Sequence, residues 1–217
     1  FFPIDYNEVL YSAHMLAGEA YQSLGDMEAA ERSLRHAAEV PVVRRSEALG
    51  VLSNLFKGQG QTQAALEVLQ QALELDPDNI QHFFNCGVIY LEQREFSQAA
   101  DFFEEVVARA PDYAPALLNL GYIAKTTGRL EEAEGIYQGI IQQNSEDTEA
   151  RANLGHLYLE QERFEQALEV FQQVRDRKSG LLDINLGMLV ALAQQKECPS
   201  WLFLCLIFLW PAQDGLI

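Results

Sequence analysis

A small residue returns every 34 positions along much of this chain, and larger partners return in step with it. Gly87, Gly121 and Gly155 are spaced by 34 residues, as are Ala99, Ala133 and Ala167, and so are Phe103, Tyr137 and Phe171. The stretch 114–145 shows what one period contains. Leu117, Leu120, Ile123 and Ala124 fall at the spacing of a buried helical stripe, and Leu130, Ala133, Ile136, Tyr137 and Ile140 do the same after a break at Thr127-Gly128. Gly121 and Ala133 are small where two closely crossing helices need room. One such pair cannot bury its apolar faces alone, so the period predicts stacked copies.

Five copies can be laid out, at 11–45, 46–79, 80–113, 114–147 and 148–179. Gly18, Tyr21, Ala30 and Ala37 fit the first, Phe56, Ala65, Ala72 and Pro77 the second, and Leu154, Gly155, Tyr158 and Ala167 the fifth. The order L-G-x2-Y, A-x3-F and Pro resembles the tetratricopeptide repeat family, a helix-turn-helix of 34 residues. That resemblance implies an all-α fold, a right-handed α-solenoid of helix-turn-helix repeats, over most of the chain. Some positions depart from the pattern: Ser53 stands in place of the glycine, Ala124 in place of the aromatic, and Ser145 and Ser179 in place of the closing proline. The step from the first unit to the second is 35 residues, one longer than the others. Residues 1–10 are a lead-in whose Phe1, Phe2 and Ile4 are available to cover the first repeat. Its first helix is expected to start at Asn7 or Glu8.

Beyond the fifth unit the register slips. RDRKSG (175–180) is a polar turn, and 180–196 reads as the first helix of a partial sixth repeat. Residues 197–217 form an apolar tail outside the pattern, with Pro199 where a small packing residue belongs. Its apolar run, Trp201 to Trp210, is well short of the ~20 residues a spanning helix needs, which disfavours a membrane anchor. The run reads either as an improvised cap on the last helix or as an alternative terminus.

Net charge sharpens the reading. A formal charge of −17 disfavours nucleic acid and anionic lipid as partners and steers basic ones toward the surface. It also keeps an elongated body soluble. Cys86, Cys198 and Cys205 give no disulfide framework. Cys86 beside Gly87 reads as a small apolar filler, and so sparing a use of cysteine slightly favours a cytoplasmic, reducing compartment. The opening FFPIDY shows no signal-peptide pattern.

The resemblance also implies where recognition resides, because in such arrays the first helix of each unit lines a concave face. With Phe83, Gly87 and Tyr90 turned to the core, Gln81, Asn85, Val88 and Glu92 share another side of their helix. The same offset gives Asn119 and Tyr122, then Asn153 and His156, then Asn185 and Met188. One asparagine therefore precedes a Leu-Gly or Cys-Gly pair in four helices. An asparagine amide donates to a peptide carbonyl and accepts from a peptide N–H whatever side chains the peptide carries, so Asn85, Asn119, Asn153 and Asn185 form a candidate ladder for an extended segment. Phe84, Val88, Leu91, Leu118, Tyr122 and Leu159 supply apolar contact beside it. In this feature the chain resembles the asparagine-ladder superhelices of the family. The plainer reading is that asparagine simply suits this repeat position, bonding a neighbouring helix or water.

The family's carboxylate clamp for acidic peptide tails does not fit. Asn54 and Asn85 could serve in it, but Met15, Gly50, Phe84 and Leu118 fill one column where it needs other residues, and Pro115 stands in another. Lys57 and Lys125 are the only basic candidates. Two glycines beside Lys57 do not make a phosphate loop, since no strand precedes them and the G-x4-G-K order is absent, so 57–61 reads as a flexible turn. The corners DPDN (76–79) and APDY (110–113) carry polar side chains able to cap the next helix. Catalysis has no foothold. The four histidines are scattered, paired glutamates read as solvated faces, and His82 is expected to face away from a buried Cys86, which leaves no metal site.

The expectation is a non-enzymatic protein–protein scaffold that needs no cofactor and binds a basic or apolar peptide or helical segment in its groove. The alternatives are the regulatory repeat region of a larger enzyme and a membrane-apposed assembly factor.

Overall fold

The computed structural model describes residues 5–177, and these form ten α-helices with no strand among them. The partial sixth repeat, Asn185, Cys198, Cys205 and the apolar tail lie outside the described residues, as do Phe1, Phe2 and Ile4. The chain divides into two compact units, Phe1–Ala116 and Leu117–Ile217.

In the first unit, α1 (Tyr6–Leu24) pairs with α2 (Met27–Glu39), α3 (Arg45–Gly58) with α4 (Thr62–Leu75), and α5 (Ile80–Glu92) with α6 (Phe96–Arg109). Each hairpin stacks on the next through α2 against α3 and α4 against α5. In the second unit, α7 (Ala114–Thr126), across whose start the division falls, turns into α8 (Leu130–Gln143). There α9 (Thr148–Glu160) packs on both α8 and α10 (Phe164–Arg177).

Local chemistry sets the helix starts. Asp5 caps α1 by accepting from the Asn7 amide at 3.0 Å, so the helix begins at Tyr6, slightly before the expected start. Asp26 does the same for α2, Asn79 for α5 and Asp147 for α9. The APDY corner differs: Tyr113 is the residue before α7, and its ring packs edge-on against Phe84 at 5.6 Å.

All five hairpins close in the same way. The amides of Asp26, Gln61, Glu95, Arg129 and Arg163 donate to the carbonyls of Tyr21, Phe56, Tyr90, Ala124 and Tyr158 at 2.8–2.9 Å. This is the wide bond that ends a helix through one left-handed residue. That residue is Gly25, Gly60 and Gly128 in three hairpins and Arg94 and Glu162 in the other two. The glycine-rich segment 57–61 is therefore a hydrogen-bonded turn of the same design.

The small-residue rows do what their spacing predicts. Ala30, Ala65, Ala99, Ala133 and Ala167 are all completely buried. Phe103, Tyr137 and Phe171 are equally buried and lie against Gly87, Gly121 and Gly155. A Cβ on these glycines would meet the ring at 2.7, 2.5 and 2.5 Å, closer than carbon atoms approach, so glycine is what lets the helices cross. Leu34 and Leu69 fill the aromatic's place in the first two hairpins, with Gly18 against Leu34 and Ser53 at the second glycine position.

Candidate functional site

The expected asparagines lie on the first helices and outside the core. In the first unit Asn54 is exposed and Asn85 half-buried. The Gln81 amide donates to the Asn85 carbonyl oxygen at 2.9 Å, which fixes that side chain along α5. Val88 is half-buried and Glu92 exposed, so this side of α5 is the open one. Phe84 is half-buried, with its ring 5.5 Å from Phe103, and Leu91 is half-buried as well. Phe83 and Tyr90 are only partly covered, and both rings meet Phe102.

In the second unit Leu118, Asn119, Asn153 and Leu159 are half-buried, and Tyr122 is 45% exposed. His156 is half-buried and packs edge-on against Phe171 at 5.2 Å. It serves the core as much as it faces outward.

Both lysines considered for this face are engaged. Lys57 on α3 bridges to Glu92 on α5 at 3.3 Å, and Lys125 on α7 bridges to Glu160 on α9 at 2.9 Å. The same ion pair thus recurs once in each unit between neighbouring first helices. The 35-residue offset that joins each lysine to its glutamate is present in the sequence, but an ion pair carries no periodic apolar signal and the spacing passes unnoticed.

His82 corrects an expectation. It does not face away from Cys86: the two are four residues apart, hence on one side of α5, and both are buried, His82 at 2% and Cys86 at 4% exposed. Burial pushes the Cys86 thiol up to about 12, which leaves it unreactive. His82 is held below the usual histidine value, chiefly by desolvation. Among the described residues no three metal-ligating side chains converge, and no helix is long and apolar enough to cross a membrane.

A cleft of about 240 Å³ opens elsewhere in the second unit, among α8, α9 and α10. Gln138, Gln142 and Gln173 border it with Arg151, a 5% exposed residue whose guanidinium donates to the Asp147 carbonyl and the Gln173 side chain, each at 3.3 Å. None of the predicted groove residues lines it.

Solved structures share this fold. A tetratricopeptide repeat protein from Parabacteroides merdae superposes with a TM-score of 0.78 at 19% identity, over 95% of this chain and 81% of that one. PilF of Pseudomonas aeruginosa gives 0.72 at 18% identity, over 95% of both chains. YrrB, described as a repeat protein with an unusual peptide-binding site, gives 0.61 at 20% identity, over 84% of this chain and 90% of that one. At these identities the likeness establishes the fold alone. No curated protein matches the sequence. Family profiles described as tetratricopeptide repeat match residues 11–41, 90–146 and 126–193, and one described as TPR repeat matches 54–94. With these matches laid over five hairpins that close and pack alike, the chain belongs to the tetratricopeptide repeat family, whose members are scaffolds for protein–protein interaction.

Proposed function

We propose that this scaffold is non-enzymatic and holds an extended or helical segment of a partner protein against the open sides of its first helices. The observation that carries the reading is the placement of Asn85, Asn119 and Asn153. Each is half-buried on a helix that also carries apolar side chains left partly uncovered: Val88 and Leu91 on α5, Leu118 and Tyr122 on α7, Leu159 on α9. A half-buried amide beside apolar surface can bind a peptide backbone while neighbouring side chains gain by burial. Asn185 belongs to the same sequence series and is proposed as its continuation.

Charge narrows the partner. Lys57 and Lys125 are each tied to a glutamate, and the net charge is −17, so a basic or apolar segment is favoured over an acidic tail. The peptide-binding site described for YrrB lends support to peptide recognition as the mode.

The test begins with peptides selected from a random library on the intact chain, whose affinities are then measured against Asn85→Ala/Asn119→Ala/Asn153→Ala. At ~1 kcal/mol per net hydrogen bond, binding should weaken by between severalfold and about 100-fold. A triple variant with unchanged thermal stability and unchanged affinity would reject the amide ladder.

A further inference from the structure

We propose that the joint between the second and third hairpins is an acid-labile switch: protonation of His82 opens the contact between α3 and α5. The device rests on a reversal of sizes. Positions equivalent to His82 elsewhere carry Ala48, Ala116 and Ala150, each completely buried. Positions equivalent to Gly50 at the other described joints carry Met15, Phe84 and Leu118, and the last in the series, Ala152, precedes no described hairpin. Between the second and third hairpins the pattern inverts. Gly50 offers a hole on α3, and the His82 ring fills it, its Cε1 3.1 Å from where a Gly50 Cβ would stand.

The apolar arrangement used elsewhere in the chain carries no penalty for polar burial, and this one does. Neither ring nitrogen of His82 has a hydrogen-bond partner among the described residues, and neither does the Ser53 hydroxyl, three residues beyond Gly50 on α3. An unpartnered imidazole tolerates this place only while neutral, because a buried cation without a bonded acceptor is far more costly.

Two charged groups bear on the ring. Asp76 approaches from the corner between α4 and α5, and Glu47 from α3. Both carboxylates are already committed, Asp76 accepting from the Asn79 side chain at 2.9 Å and Glu47 held by Arg44 at 2.8 Å. Their fields favour the imidazolium without bonding it, and burial outweighs them. Once the joint parts, the ring meets water and can protonate freely.

The linkage has a definite sign. The closed joint binds fewer protons at His82 than the open one, so its stability rises with pH. The closed form holds fully above the free histidine value of 6.5 and loses ground below it, until the lower closed-state value is passed. Opening therefore increases by at most tenfold per pH unit in that window.

Cys86 is the built-in reporter, buried on α5 in the same core as Leu49 and Leu52 of α3. In the full chain with Cys198→Ser and Cys205→Ser, Cys86 is the sole thiol, and 4,4′-dithiodipyridine labels it even in mild acid. Labelling rates are compared between this protein and the same protein carrying His82→Gln, from pH 7.5 to 5.0, so that reagent chemistry cancels in the ratio. The ratio should stay level above pH 6.5 and climb severalfold per unit below it, while circular dichroism holds its helical signal. A level ratio throughout, or labelling that rises only as helicity is lost, overturns the proposal. If His82→Gln does not fold, the swap Gly50→Met/His82→Ala restores the packing pattern of the other positions and serves as the non-titrating reference. No partner is used, so the result is independent of the peptide-binding reading.

Discussion

Gly121 lies flat against the ring of Tyr137, so close that a Cβ on the glycine would stand 2.5 Å from Cε1 and 2.8 Å from Cζ. The tyrosine is completely buried and cannot step aside. Gly121→Ala therefore overpacks the α7–α8 crossing, at about 1–3 kcal/mol. The gain in helix propensity, up to ~1 kcal/mol, offsets only part of that. Urea unfolding should show a net loss of about 1–2 kcal/mol. Gly135, exposed on α8 with nothing within 4 Å of its would-be Cβ, is the internal control. There the propensity term stands alone, and Gly135→Ala should stabilise by about 0.5–1 kcal/mol.

Arg94 and Glu162 sit at φ 61° and 59°, where three of the five hairpins place glycine. A side chain in the left-handed region costs roughly 1–2 kcal/mol, and a glycine's extra freedom in the unfolded chain returns part of that. Arg94→Gly should raise stability by about 0.5–1 kcal/mol, read as a higher urea midpoint at constant slope. A loss would mean that the arginine side chain contributes more than its backbone costs.

These turns also mark how far the sequence can be read. The crossings were legible because glycine, alanine and an aromatic ring recur at fixed spacing, and each must be that size to fit. The turns at Arg94 and Glu162 were not, because neither residue carries a turn preference and the surrounding helices impose the conformation. His82 escaped for a related reason. Its burial depends on the absence of a side chain at Gly50, on another helix, and no pattern within α5 reveals that. The asparagine positions were legible as a spacing, whereas the lysine–glutamate bridges beside them, made by charges in the last turns of their helices, were not.

Glu134 on α8 is gripped from the following hairpin. Arg163 reaches it with two guanidinium nitrogens, Tyr158 donates to it at 2.9 Å, and the Arg163 guanidinium lies 4.2 Å over the Tyr158 ring. The Arg163 hydrogen bonds, more than any other contact, hold the Glu134 carboxyl below its ordinary range, against the opposing effect of burial. Its folded-state value lies below 4.5, so the stabilisation is present above that pH and is lost as pH falls through the folded value. Arg163→Met should cost about 1–3 kcal/mol at neutral pH, the range for hydrogen bonds to a charged group. The gap between wild type and variant should close as unfolding is followed down from pH 4.5. A gap independent of pH would assign the effect to lost packing on Tyr158.

Tyr137 is the one member of its row with a hydroxyl, Phe103 and Phe171 filling the same hole in other hairpins. That hydroxyl is buried without a hydrogen-bond partner among the described residues. An unmet buried donor costs about 1–3 kcal/mol, while deleting one oxygen leaves too small a void to cost as much. Tyr137→Phe should therefore stabilise the protein by roughly 0.5–2 kcal/mol, seen as a higher urea midpoint. The pH dependence gives a second, independent readout. Burial first, then the nearby Glu160 and Tyr122, raises the Tyr137 phenol above its usual value of 10.0. A raised phenol contributes stability that is complete below 10.0 and fades as pH rises toward the folded value, so wild type should weaken above pH 10 more steeply than the phenylalanine variant. If removing the hydroxyl destabilises at neutral pH instead, the oxygen has a bonded partner, and the contact between α7 and α8 is held by more than ring packing against Gly121.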